Sequence, residues 1–271
     1  MPATGRTPPR LLSIAGSDSG GGAGIQADLK AFAACGAHGM TAITAITAQN
    51  TRSVTAVYPL PPEAIVEQVR AVVDDIGVDA VKIGMVGTAG AIAAVDAALD
   101  LLEGVPVVLD PVMVAESGGR LLEPDAERLL RERLVPRATV VTPNLMEAAA
   151  LAGMDSGTDA GELARAVHAL GPGAVVITGG HRAGGADLFY DGEELVEIPG
   201  ERHAEGAAHG SGCTHSSVLA AHLARGLEPL DAAREARAMA AAAVSAGLRD
   251  LGAGAGPVDV LAGRARRSLG G

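Results

Sequence analysis

The chain has 271 residues, 48% hydrophobic and 20% charged, the balance of a soluble globular protein with apolar mass enough for a sizeable core. Lys and Arg number 21 against 32 Asp and Glu, a formal charge of −11, which argues against a nonspecific nucleic-acid or anionic-membrane binder because either needs a positive field. Phe32, Tyr58, Phe189 and Tyr190 are the whole aromatic content, too little for a base-stacking surface, and Cys35 and Cys213 are too few for a disulfide scaffold.

Residues 1–10 read as a flexible segment without the long apolar run of a signal peptide, so a cytoplasmic protein is expected. A strand at 11–15 leads into GSDSGGGAG and a helix at about 25–35, with Gly36 able to cap it. Apolar strand signals recur at 41–48, 80–83, 105–109, 138–142 and 174–178, and helical segments at 62–75, 88–102, 124–133 and 160–170 lie between them. This alternation predicts a mostly parallel sheet with helices on both faces. Residues 53–58 read as an edge strand, and 187–198 as a hairpin turning at Asp191 and Gly192. A Gly-rich turn at 209–212 opens a helix over about 213–224, and an Ala-rich helix follows at 231–246. Residues 260–271 read as a loose tail whose Arg264, Arg266 and Arg267 form a solvated face, leaving one domain over 11–259.

Two glycine-rich stretches are candidates for chemistry. The amides of GSDSGGGAG can approach an anion closely, but the run neither matches GxGxxG cleanly nor ends in GK[ST], and a tight structural loop is the alternative. In GSGC, Gly210 and Gly212 allow a compact turn, and amides at the helix start can form an anion hole for a transferred phosphoryl group. Cys213 falls at the positive end of that helix, where a thiolate is favoured; the alternative is a small buried hydrophobe, the reading kept for Cys35.

IAGSDSGGGAGIQADLKAF (14–32), TAITAQN (44–50), VKIGM (81–85), LDPVMV (109–114), TPNLMEA (142–148), GGH (179–181) and HGSGCT (209–214) occur in that order. Over about residues 11–259 the sequence resembles the hydroxymethylpyrimidine/phosphomethylpyrimidine kinases of thiamine biosynthesis, within the ribokinase-like superfamily. The resemblance implies a three-layer α/β fold with its site at the carboxyl ends of the parallel strands. It implies ATP-dependent phosphorylation of 4-amino-5-hydroxymethyl-2-methylpyrimidine, then of its monophosphate to the diphosphate, with Mg2+ offsetting the ATP charge. The expected partners are the small pyrimidine and ATP, with no nucleic acid or membrane; a homodimer is left open.

By the same resemblance Asp28 and Gln49 read the pyrimidine, Gly16 leaves room beside it, and Met85 and Val112 supply an apolar wall. Cys213 withdraws the hydroxyl proton, and the amides of Gly210, Ser211 and Gly212 stabilise the moving phosphoryl oxygens. Glu147 helps organise the magnesium, Asn144 orients phosphate or metal-bound water, and Asp110 is a further electrostatic candidate at the metal. Each has a plainer reading: a local salt bridge for Asp28, a satisfied loop for Gln49, core for Met85 and Val112, a helix cap for Asn144 and Glu147, and a strand-end turn for Asp110. The chain departs from the family pattern at Ser211 and Ala208, both often Thr, and at Glu116 and Thr178, where many relatives have Lys. Thr178, at the phosphate-binding position, offers a neutral hydroxyl in place of charge-assisted bonds, which bears mainly on the second phosphorylation; His181 and His209 compensate only in part. A pyridoxal kinase of the same fold and a catalytically weakened pyrimidine-binding protein are the alternative functions.

Overall fold

The apolar run Leu11, Leu12, Ile14 and Ala15 is buried on both faces of its strand, which places it in the middle of a covered sheet. In the computed structural model, which describes residues 7–114, 121–181, 185–201, 203 and 207–262, this strand is β1 (Arg10–Asp18). Glu116 and the arginines of the tail lie outside the described residues. The remaining strands are β2 (His38–Gln49), β3 (Val54–Pro59), β4 (Ala80–Ile83), β5 (Val107–Leu109), β6 (Val140–Val141), β7 (Ala174–Ile177), β8 (Asp187–Tyr190) and β9 (Leu195–Ile198). They form one sheet in the order β3-β2-β1-β4-β5-β6-β7-β8-β9. β2, β1, β4, β5, β6 and β7 run parallel; β3 pairs antiparallel with β2 at one edge, and at the other β8 pairs antiparallel with β7 and β9 antiparallel with β8.

The helices are α1 (Gly24–Ala34), α2 (Pro62–Asp75), α3 (Ala89–Leu99), α4 (Pro124–Leu129), α5 (Leu145–Ala152), α6 (Ala160–His168), α7 (Ser211–Leu223) and α8 (Pro229–Ser245). Alternate strand residues feed two cores. Val81, Ile83, Leu109 and Val141 pack with Ile65, Ile92, Val95 and Leu163 of α2, α3 and α6. Val108, Val140 and Val176 pack on the other face with Val218, Leu219, Ala232 and Ala236 of α7 and α8. Three layers therefore follow from the period of two along each strand.

Several boundaries shift from the sequence expectation for identifiable reasons. β1 begins at Arg10, whose backbone N–H donates to Asp79 Oδ2 at 2.7 Å and whose Nε reaches the same oxygen at 3.0 Å. It runs on to Asp18 because its ladder with β2 resumes beyond a bulge between Ala15 and Ser17. The helix expected at 88–102 starts with Thr88 as its cap, accepting from Ala91 N–H at 3.1 Å, and tightens to a 3-10 turn at Asp100–Leu102. The segment expected at 124–133 is α-helical only to Leu129 and then widens to a π-turn over Leu130–Leu134, just before Pro136, which has no N–H to extend the ladder.

Candidate active site

The parallel strands all end on one side, and the loops leaving β1, β4, β5, β6 and β7 surround a cavity of about 710 Å³ with the start of α7. Every site residue expected from the sequence lines it, with one exception, Asp28.

Two loops nearly 190 residues apart in sequence close the middle of this cavity by touching each other. Gly210 has φ +81°, and a Cβ there would overlap the carbonyl oxygen of Gly22, so only glycine fits. Asp18 accepts from the N–H groups of Gly20 (2.7 Å), Gly22 (2.9 Å) and Ala23 (2.8 Å), and its Oδ2 lies 3.3 Å from His209 Nε2. Burial pushes the Asp18 carboxyl up, but His209 and the three amides outweigh it and hold the pKa below the ordinary value. Asp18 thereby folds the first glycine loop and pins it to the second.

At the start of α7, the Ser211 N–H donates to Ala208 O at 2.9 Å and is not free for a ligand. The first-turn amides of Gly212 and Cys213 remain as donors, so Ser211 drops out of the expected anion hole. Cys213 also differs from expectation. Burial pushes its thiol up to about 12, Asp110 and Asp28 add to the rise, and Lys82 with the Gly24 N–H only partly oppose it. Desolvation outweighs the helix-end field, and the resting group is a thiol.

Asp28 lies beneath the cavity floor with no exposed surface. Its Oδ1 accepts from Lys82 Nζ at 2.9 Å and Ser217 Oγ at 2.8 Å, and its Oδ2 from Ser13 Oγ at 2.6 Å and Lys82 Nζ at 3.2 Å. A carboxylate so engaged has little left to offer a ring; what reaches the cavity is Lys82, which Asp28 holds. Lys82 also lies 3.9 Å from Asp110 Oδ2. Burial works against its charge, but Asp28, then Cys213 and Asp110, raise its pKa above the ordinary value. The sequence reading missed Lys82. Its signal was a lone lysine inside the apolar run AVKIG, which demands a buried counter-charge.

On the pyrimidine side, Gln49 Oε1 accepts from Thr47 Oγ1 at 3.1 Å, which orients the amide and leaves its NH2 without a partner among the described residues. Its backbone is locked to Ser19, whose Oγ accepts from Gln49 N–H at 2.8 Å and donates to Gln49 O at 2.7 Å. At Gly16 a Cβ would meet the methyl end of Met85, which would have to shift aside. Met85 and Val112 form the apolar wall.

Across the cavity, Asn144 and Glu147 do cap α5. Asn144 Oδ1 accepts from Glu147 N–H at 2.9 Å, and Glu147 Oε2 accepts from Asn144 N–H at 3.0 Å, a reciprocal capping box. Burial and then the charge of Asp110 push the Glu147 carboxyl up to about 8. Burial also raises Asp110, with Asp28 adding to it against Lys82. Asp110 and Glu147 are thus two carboxylates raised by burial, one of them also by the charge of the other, and a site short of positive charge fits Mg2+, an ion held by one or two carboxylates together with substrate phosphates. No group of three or more His, Cys, Asp or Glu that could hold a metal occurs among the described residues. Thr178 lines the same end, its N–H donating to Pro143 O at 2.9 Å.

A hydroxymethylpyrimidine/phosphomethylpyrimidine kinase from Rhizobium meliloti is 51% identical over 253 residues, 91% of this chain and 95% of its own. A pyridoxal kinase from Bacillus subtilis, solved as an ADP complex, superposes with a TM-score of 0.88 at 39% identity, over 96% of this chain and 100% of that one. A pyridoxal kinase from Staphylococcus aureus, solved with AMP-PCP and pyridoxal, gives a TM-score of 0.85 at 34% identity, over 96% of both chains. The family model for phosphomethylpyrimidine kinase matches residues 18–259, and with that span enclosing nearly every wall of the cavity, the chain belongs to the phosphomethylpyrimidine kinase family.

Proposed function

We propose that the protein transfers the γ-phosphoryl group of ATP to the hydroxymethyl group of 4-amino-5-hydroxymethyl-2-methylpyrimidine, and then to the resulting monophosphate. The observation that carries this reading is that one cavity joins a ring pocket of Gln49, Met85 and Val112 to the start of α7 and to the Asp110–Glu147 carboxylate pair. Gln49 donates to a ring nitrogen, while Met85 and Val112 cover the ring and exclude water. The Gly212 and Cys213 amides meet the transferring phosphoryl oxygens, a fixed field that needs no reorganisation. Cys213 takes the hydroxyl proton in its thiolate form, favoured by the buried charge of Lys82. Asp110 and Glu147 would hold Mg2+, which supplies charge neutralisation for the ATP phosphates.

A cytoplasmic location, where ATP is available, and a homodimer complete the proposal. The exposed Ile46, Val57 and Tyr58 on the β2–β3 edge support the dimer, which light scattering reads directly. An acceptor panel with ATP and magnesium tests the function. The pyrimidine is expected to give a higher kcat/KM than pyridoxal. A preference for pyridoxal, or tight pyrimidine binding without turnover, overturns the assignment.

A further inference from the structure

Five buried side-chain atoms have no hydrogen-bond partner among the described residues: Thr214 Oγ1, and four that gather around one carboxylate, Asp187 Oδ2, both ring nitrogens of His215, and Arg237 Nε. They come from β8, α7 and α8, and Asp187, His215 and Arg237 line the cavity. Buried polar groups are left unpaired in folded proteins chiefly where water, an ion or a ligand completes them.

The cluster is tied to both phosphate-facing elements. Asp187 Oδ1 accepts from the Gly179 N–H at 2.6 Å, fixing the loop that follows Thr178. His215 lies one turn beyond Ser211 on α7, on the side of its anion-facing start, and is only 4% exposed. Its Nε2 lies 3.0 Å from Asp187 Oδ2 but out of hydrogen-bond alignment, and Nδ1 has no partner. Arg237 Nε stands 3.7 Å from Asp187 Oδ1, while its Nη2 is spent on the backbone oxygens of Gly185 and Glu201. The charged groups facing the imidazole are therefore Asp187 from β8, Arg237 from α8 and, at the end of β5, Asp110, whose own ionisation responds to His215.

The two oxygens of one carboxylate stand against unpaired nitrogens of an imidazole and a guanidinium, an arrangement that is completed by an acceptor-rich anion. The geometry points to His215, oriented by Asp187 and flanked by Arg237, as a phosphate-binding residue at the Thr178–Gly180 end of the cavity. The inference deepens the kinase reading and rests on it for the source of the phosphate: the nucleotide, or the phosphorylated pyrimidine.

Calorimetry on the full chain decides it with three probes: ADP, the pyrimidine monophosphate, and the unphosphorylated pyrimidine as control. His215→Leu is expected to weaken at least one phosphorylated probe about tenfold and to leave the control unchanged, with His215→Gln recovering part of the loss. A loss confined to ADP assigns the residue to the nucleotide, one confined to the monophosphate assigns it to the acceptor, and a loss of both makes the subsite shared. If removing the ring exposes Asp187 to an unpaired burial that unfolds the chain, the His215→Leu/Asp187→Asn double variant carries the same expectation. Wild-type affinity for both phosphorylated probes, or equal weakening of all three, overturns the inference. Because binding is read without turnover, a wild type that binds ADP but phosphorylates nothing would sink the kinase reading and leave this one standing.

Discussion

At Cys213 the protein holds a nucleophilic group in its less reactive form. With the thiol at about 12, the thiolate fraction at neutral pH is small and grows about tenfold per pH unit, so a single-turnover rate limited by chemistry should climb with pH well past neutrality. Cys213→Ser should lower that rate by about a hundredfold or more and flatten the climb, with pyrimidine affinity kept. An unchanged rate, or the same slope in the serine variant, would remove Cys213 from proton transfer. Gln49, Met85 and Cys213 were legible because each sits in a short motif whose local chain conformation decides where its side chain points. Asp28 and Lys82 were not, because their pairing is made by register: Lys82 lies opposite Ser13 across β4 and β1, and Ser13 and Lys82 both meet Asp28 from α1. No spacing along the chain encodes that triangle.

Helix starts do most of the positioning in this fold, and α5 shows how a cap and a ligand site share residues. Asn144→Ala should cost about 1 kcal/mol of stability in denaturant unfolding, since it removes one half of the capping box. Glu147 gives the sharper outcome. Its carboxyl is protonated below about 8, and a bound cation must displace that proton, so magnesium affinity at fixed ATP should strengthen as pH rises to about 8 and level off above it. Glu147→Gln should bind magnesium more weakly and lose this dependence; a Glu147→Gln protein that keeps the wild-type profile would separate Glu147 from the metal. The parallel strands were legible from their uniform apolar runs. The length of β1 and the break in α4 were not, because a bulge inside a ladder and a π-turn ahead of a proline depend on tertiary fit more than on local pattern.

Taken whole, the molecule is a covered parallel sheet whose carboxyl edge gathers one ring pocket, one anion-facing helix start and one carboxylate pair into a single cavity. The second phosphorylation is expected to be the harder one, because its acceptor brings a phosphate beside ATP while Thr178 offers only a neutral hydroxyl. Thr178→Lys should therefore raise kcat/KM for the monophosphate relative to the unphosphorylated pyrimidine; a folded variant with an unchanged ratio would show that this missing charge does not limit the step. The central claim, that one cavity carries out both transfers, is read most directly from a time course. Starting from 4-amino-5-hydroxymethyl-2-methylpyrimidine with excess ATP and magnesium, the products are separated as mono- and diphosphate. The account predicts that the monophosphate appears first, accumulates, and is then consumed as the diphosphate forms. A monophosphate that persists without diphosphate, or a pyrimidine that is never phosphorylated, would contradict it.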